Sequence, residues 1–281
     1  MRVLVFGETG QVARELIRRA PADVDLVAYG RDVVDLSIPG DCTEIVMGAE
    51  VDAIINAAAY TGVDAAEAEP KLAMTINAAA PTAMARAAAA RGIPFLHLSS
   101  DYVFAGTGDR AWMPDDETGP INAYGRSKAE GEIGIRLSGR RNLILRTSWV
   151  VSAHGSNFVK TMLRLGATRK SLSVVADQIG GPTPAAAIAD ALYTCARAMV
   201  GGQAGGINHF AGAPDTSWAD FARVILAGCD CVVQDIPSSD YPTPAPRPLN
   251  SRLDCSSLQR DFGIARPDWR SGLADILKEL A

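Results

Sequence analysis

The chain has 281 residues, 48% hydrophobic and 21% charged, the balance of a folded globular protein and not of a disordered or fibrous one. Lys and Arg together number 27 against 32 Asp and Glu, a formal net charge of −5, so no basic footprint exists for nucleic acid or for an anionic membrane surface. No apolar run approaches the ~18 residues that would cross a bilayer, and five scattered cysteines (Cys42, Cys195, Cys229, Cys231, Cys255) read as free thiols of a cytoplasmic protein.

Residues 2–6 are a short apolar run closed by Gly7. The run reads as a strand, because a secretion signal needs a longer apolar stretch. Val12, Leu16 and Ile17 then recur at helical spacing, and further apolar runs fall at 26–29, 51–58, 95–99 and 143–147. These runs lack clean alternation, the pattern of strands covered on both faces of a parallel sheet. The alanine-dominated stretch 65–91 predicts helix, stopped by Gly92 and Pro94 and split at Pro70 and Pro81. Strands alternating with helices predict an α/β protein with a Rossmann-type doubly wound parallel sheet, whose ligands bind at the strands' C-terminal edge.

Beyond about residue 150 the rhythm loosens. Gly- or Pro-rich loops at 177–184 and 238–248 alternate with helical stretches at 184–199, 217–228 and 271–280. The expected organisation is a dinucleotide-binding domain over 1–150, to which some later segments return, and a smaller mixed α/β substrate-binding lobe made mainly of 151–281.

The first strand runs into Gly7-Glu8-Thr9-Gly10-Gln11-Val12-Ala13. Glycines at 7 and 10 allow a tight turn and a close backbone approach, and the helix that follows points its free N–H groups at a pyrophosphate. Ala13 takes the third small position. Arg31, after the second strand, suits the 2′-phosphate of NADPH, with NADH as the alternative; Asp35 and Leu36 would border the adenine. Tyr124 and Lys128 stand at i and i+4, on one face of a helix that Asn122 would cap. A free tyrosine, with its pKa near 10, is a poor acid–base catalyst at neutral pH, and a neighbouring ammonium lowers that pKa. Ser100, at the end of the fourth strand, would bond a substrate carbonyl beside Tyr124, and Asp101 would orient the site or help to donate a proton.

With these residues in place, the chain resembles the extended short-chain dehydrogenase/reductases, and among them the dTDP-4-dehydrorhamnose reductases. The stretches that carry the likeness are FGETGQVARE at 6–15, INAAAYTGVDAAEAEP at 55–70, LSSDYVFAG at 98–106, INAYGRSKAEGE at 121–132, LRTSWV at 145–150, GSNFVKTMLRL at 155–165, DQIGGPT at 177–183 and RPLNSRLD at 247–254. The resemblance implies reduction of the 4-keto group of a dTDP-sugar by a nicotinamide hydride. Tyr124 would protonate the alkoxide, Lys128 tune Tyr124, and Ser100 polarise the carbonyl. It further implies cofactor contacts at Gly7, Thr9, Gly10, Gln11, Val12, Asp35, Leu36, Ala57, Ala58, Ala59, Tyr60 and Lys128. Substrate contacts would fall at Asp101, Val103, Trp149, Asn157 and Arg247.

The chain departs from the family after SWV, where Val151-Ser152 replaces a Tyr-Gly pair. Some members bind magnesium between carboxylates at a dimer interface; Glu15 matches one such position, no further metal ligand is assigned, and a homodimer and a monomer both stay open. The competing readings are a nucleotide-sugar epimerase or dehydratase and a non-catalytic NADP-binding regulatory subunit. Asp101-Tyr102 argues against a dehydratase, which would carry Asp-Glu there, and the intact Ser100, Tyr124 and Lys128 argue for chemistry.

Overall fold

The computed structural model describes residues 1–281. Its first half alternates β1 (Arg2–Phe6), α1 (Gln11–Arg18), β2 (Asp25–Tyr29), α2 (Pro39–Gly48), β3 (Ala53–Asn56), α3 (Val63–Ala68), α4 (Pro70–Met74), α5 (Ala80–Ala90), β4 (Phe95–Ser100), α6 (Ala123–Ser138) and β5 (Asn142–Thr147). It continues with β6 (Val150–Val151), α7 (Phe158–Gly166), β7 (Ser171–Val175), β8 (Ile179–Gly180), β9 (Thr183–Pro184), α8 (Ala185–Val200), β10 (Gly206–His209), β11 (Thr216–Ser217), α9 (Trp218–Ile225), β12 (Val232–Ile236), β13 (Asn250–Ser251), α10 (Ser256–Phe262) and α11 (Trp269–Leu280).

Six strands form one parallel sheet in the order β2–β1–β3–β4–β5–β10. Successive side chains of a strand enter two different cores. Val3, Val5, Ile55, Leu96, Leu143 and Leu145 pack under α1 and α8. Leu4, Phe6, Ile54, Phe95 and Ile144 pack against residues of α2, α5 and α6. Both faces are dry, which is why no polar alternation marks these strands, and each large apolar side chain buried this way contributes ~1.5–3 kcal/mol. The strand order reverses between β1 and β3, so the loops after them part there and open a crevice.

Pro70 breaks the alanine-rich stretch as expected, standing in the first turn of α4. Pro81 does not. A π turn, Thr75–Ala79, precedes α5, and the helix runs on through Ala90. The wider i→i+5 turn, in which the Ala80 N–H reaches the Thr75 carbonyl, absorbs the donor that proline lacks. α6 lies close against this turn, where a Cβ on Gly131 would sit 2.2 Å from the Asn77 carbonyl oxygen, and against the chain just after β4, where one on Gly125 would sit 2.2 Å from the Tyr102 carbonyl oxygen.

The second half supplies two kinds of structure. α8 and β10 return to the large sheet, α8 against α1 and β10 beside β5. The remainder forms a lobe of short pairings, β11–β8–β13, β12–β7 and β6–β9, around a core that includes Val159, Phe221, Trp269 and Ile276.

A buried ion pair helps to tie α6 to the sheet. Arg146 of β5 donates two hydrogen bonds to Glu132 of α6, at 2.9 and 2.6 Å, and the Ser99 hydroxyl donates a third at 2.5 Å. Both charged side chains are almost fully buried, and the Arg146 guanidinium lies 4.8 Å above the Phe104 ring. Removing one partner strands a buried charge. Arg146→Leu is therefore expected to cost ~3–5 kcal/mol in denaturant unfolding, and adding Glu132→Leu should recover part of that loss.

Candidate active site

The cofactor cradle starts at Gly7. Its φ is +112°, and a Cβ would meet the Ala58 nitrogen at 3.2 Å and the Ala57 carbonyl carbon at 3.3 Å. Only glycine fits where these two loops touch. Gly10 caps α1 with no side-chain acceptor, and no acidic residue sits in the first turn. The helix therefore presents free N–H groups and its positive end to a cavity of about 330 Å³, an arrangement that fits a pyrophosphate. Gly7, Thr9, Gly10, Arg31, Asp35, Leu36, Ala57, Ala58 and Ala59, all expected to contact a cofactor, line it. Glu8, Tyr29, Val34, Thr61 and Ile76 line it too. Glu8, Val34 and Thr61 adjoin residues singled out in the sequence and Tyr29 ends the second apolar run, whereas Ile76 arrives from the π turn with no local signal. Arg31 is largely exposed, 3.6 Å from Asp35. Bonds from Ser37, its backbone N–H first, hold the Asp35 carboxyl below its ordinary value.

Thr9, Gly10, Ala57, Ala59 and Thr61 also line a second cavity of about 630 Å³, so the two spaces adjoin along one wall. Gln11, Val12, Ser100, Asp101, Tyr124, Lys128 and Trp149 face this second cavity. The Asn122 side chain caps α6 by accepting the Gly125 N–H at 2.8 Å, which fixes where Tyr124 and Lys128 emerge, one turn apart. Ser100, at the end of β4, accepts the Tyr102 N–H at 3.1 Å and donates to Asp101 Oδ1 at 3.0 Å.

Burial dominates the electrostatics here. It raises the Tyr124 phenol to about 12, against a lowering by Ser100. It lowers Lys128 to about 8, against a raising by Glu132, and it raises Asp101 to about 6, against bonds from Ser251 and Ser100. Asp101 Oδ2 is buried without a partner. In this state the phenol is a weak proton donor and awaits added positive charge.

Four expected ligand contacts fall elsewhere. Tyr60 lies outside both cavities: its hydroxyl bonds the Glu69 carboxylate, and Asn77 clamps its backbone. Val103 is fully buried with Phe104, Ala129 and Leu253, because the short 3₁₀ turn after β4 points it into the core. Asn157 caps α7, accepting the Lys160 N–H at 3.2 Å and donating to Gln11 Oε1 at 2.9 Å and Ser152 O at 2.7 Å, so its side chain is committed within the protein. Arg247 pairs with Asp64 at 2.9 Å, in a strap that also bonds Asn122 through the Pro246 carbonyl.

Trp149 does reach the pocket. It holds a left-handed φ of 48° and stacks on Trp218, with ring centroids 3.6 Å apart. Trp218 lines the same cavity and carries no local sequence signal, because its partner is 69 residues away in the chain (218 − 149).

Glu15, His154 and Glu279 bring three ligand-type atoms together. His154 Nε2 lies 3.4 Å from Glu15 and 3.6 Å from Glu279, while Arg18 already pairs with both carboxylates at 2.8 and 3.5 Å. Magnesium demands an octahedral shell of oxygens. One imidazole and two carboxylates neutralised by arginine do not fit it within a single chain, and no metal role is assigned to them.

A doubly wound sheet with a glycine-turn cradle, and a serine, a tyrosine and a lysine around the adjoining pocket, define an oxidoreductase of the extended short-chain dehydrogenase/reductase class. The chain belongs to the RmlD substrate binding domain family, whose model matches residues 1–281. It is 45% identical to a dTDP-4-dehydrorhamnose reductase of Sinorhizobium fredii, over 96% of this chain and 94% of that one. It is 41% identical to the Salmonella typhimurium dTDP-4-dehydrorhamnose reductase, over 100% and 98%. A solved dTDP-4-dehydrorhamnose reductase from Bacillus anthracis, in complex with NADP, superposes with a TM-score of 0.93 at 32% identity, covering 99% of each chain.

Two imidazoles are buried near this site. Burial, then Lys128, holds His97 well below its ordinary value; burial, then Arg146, lowers His209 to about 3. Unfolding lets both titrate near 6.5. The unfolded chain therefore binds more protons as the pH falls below that value, and stability is lost between about 6.5 and 3. The loss is expected to reach ~1.4 kcal/mol per pH unit for each ring. Urea unfolding of His209→Gln should show a shallower acid limb than the parent.

Proposed function

We propose that this chain is an NADPH-dependent reductase acting on the 4-keto group of a dTDP-6-deoxyhexulose. The reaction is dTDP-4-dehydrorhamnose to dTDP-rhamnose, a step in making deoxysugar and polysaccharide precursors. The observation that carries this reading is the meeting of Ser100, Tyr124 and Lys128 on a cavity adjoining the glycine-turn cradle. The names of the curated relatives support the substrate, and the NADP bound to the Bacillus anthracis relative supports the cofactor. Five free cysteines, four of them buried, suit a reducing cytoplasm.

The bound NADPH supplies the hydride to carbon 4 of the sugar. The Ser100 hydroxyl donates a hydrogen bond to the carbonyl oxygen and stabilises the charge that develops there. Tyr124 gives its hydroxyl proton to the same oxygen as it becomes an alkoxide. The Lys128 ammonium lowers the Tyr124 pKa and so offsets the burial that raises it. Asp101 holds Ser100 in place through their 3.0 Å bond until the hydroxyl turns its single hydrogen to the sugar carbonyl. Trp149, stacked on Trp218, offers a flat apolar wall to the sugar nucleotide. Arg31 exchanges Asp35 for the 2′-phosphate of NADPH.

Purified protein given NADPH and dTDP-4-dehydrorhamnose should oxidise one cofactor per sugar reduced. Sugar conversion without net oxidation would instead mark an epimerase or dehydratase, and cofactor binding without turnover a regulatory subunit. Tyr124→Phe should bind NADPH normally and lose ~10²–10⁴ in turnover; unchanged turnover would remove Tyr124 from the reaction. Arg31→Ala should weaken NADPH more than NADH, and an equal loss for both would refute the 2′-phosphate contact.

A further inference from the structure

Beneath the reaction pocket, His97 of β4, which the chemistry above leaves unused, is buried between two partners. Its Nδ1 lies 3.1 Å from the Asn56 amide nitrogen, and its Nε2 lies 3.1 Å from Lys128 Nζ. The Asn56 amide is held in one orientation in the ligand-free chain. It is 1% exposed, and its Oδ1 accepts the Ala58 N–H at 3.1 Å. Its nitrogen is therefore the group that faces His97, and it donates to Nδ1. A neutral imidazole carries one proton, so an accepting Nδ1 leaves that proton on Nε2, aimed at Lys128.

An ammonium at Lys128 would then set N–H against N–H. An unprotonated amine instead offers its lone pair to His97 and one hydrogen to the Leu98 carbonyl, 2.6 Å away. The result is one directional run: Ala58 N–H to Asn56, Asn56 to His97, His97 to Lys128, Lys128 to Leu98. The other titratable and charged groups around the lysine do not interrupt it. Glu132, one turn further along α6, is bonded to Arg146 of β5 and to Ser99 of β4. Asp101, beyond the end of β4, is bonded to Ser100. Tyr124, on the lysine's own helix face, is neutral.

We propose that His97, oriented by Asn56, is a positioning residue that favours the unprotonated amine of Lys128 in the ligand-free chain, so that at alkaline pH binding of NADPH takes up one proton from solvent onto Lys128 Nζ. This rests on the cofactor reading above. The balance is simple: one proton is added to the amine, and no covalent bond between heavy atoms changes. Relief of the opposed N–H groups moves the ring proton of His97 to Nδ1 and turns the Asn56 amide, which releases the Ala58 N–H. Ala58 lines the cradle, so occupancy of the cradle and the charge on the lysine are two ends of one swap. At alkaline pH the ammonium that results is the positive charge that Tyr124 lacks in the ligand-free chain.

The test is calorimetric titration of NADPH into the intact protein, in buffers of different ionisation enthalpy. Lys128 sits at about 8 in the ligand-free chain. Uptake should thus approach one proton per NADPH at about pH 9 and fall towards zero at about pH 6.5. Asn56→Asp accepts from both Ala58 N–H and His97 Nδ1–H, turns Nε2 into an acceptor for the ammonium, and should abolish the uptake at about pH 9. His97→Gln, whose carbonyl can also accept from an ammonium, should do the same. A merely structural role would lower stability in these variants without changing the proton count.

Nitrogen-15 spectra of the ligand-free chain give a second, cofactor-independent readout. With three histidines in the sequence, the His97→Gln spectrum identifies the His97 ring, which at about pH 9 should carry its proton on Nε2. A ring protonated on Nδ1, or NADPH binding at about pH 9 without proton uptake, would overturn the inference. So would full uptake in Asn56→Asp. Failure of NADPH to bind at all would overturn the cofactor reading and the coupling with it, while the ring tautomer would still decide whether the relay exists.

Discussion

The seating of α6 on the C-terminal ends of β4 and β5 is the constraint on which the rest depends. Tyr124 and Lys128 are one turn apart on that helix, and Ser100 ends the strand beneath it. Three features set the seat. Glycines 125 and 131 let the helix backbone approach carbonyls that a methyl group would strike. The Asn122 cap fixes where the helix begins. The Glu132–Arg146 pair, with Ser99, fixes its rotation from below. A buried ion pair is weak evidence for net stability, because desolvation offsets most of its attraction. Its directional bonds, however, are satisfied in only one register of helix against sheet.

The same seating makes the ligand-free site electrostatically unfinished. Burial pushes a phenol and a carboxyl up and an amine down, so each reacting group is driven towards its neutral form. A pocket in that condition suits a ligand that brings its own charge. The uncapped N-terminus of α1 offers a place for the anionic part, and the adjoining cavity leaves the reacting groups around whatever follows it. Rigid elements carry nearly all of this; the loops contribute mainly the backbone of the cradle.

Much of the architecture is legible in local sequence. The apolar runs at 2–6 and 143–147 sit within β1 and β5, and the helices foreseen at 184–199 and 271–280 are α8 and α11 within two residues at either end. These succeed because burial on both faces and helical periodicity are local properties. Pro81 shows the limit: its effect depends on a π turn stabilised by contact with α6, and no local rule foresees that. Tyr60, Val103, Asn157 and Arg247 show it again. Resemblance supplies their positions in the chain, but the direction of each side chain is decided by tertiary partners, among them Glu69, Leu253, Gln11 and Asp64.

The sequence by itself determined the class of fold, the glycine turn, the capped helix with its tyrosine and lysine, and the family, because each is written in short-range spacing. Only the tertiary structure decided which polar groups are buried together, and so which of them are charged. The Trp149–Trp218 wall, the Glu132–Arg146 lock and the run from Ala58 through Asn56 and His97 to Lys128 all join residues from separate elements. Their hydrogen-bond directions and protonation follow from mutual geometry in a water-poor interior, and spacing along a chain carries no information about that.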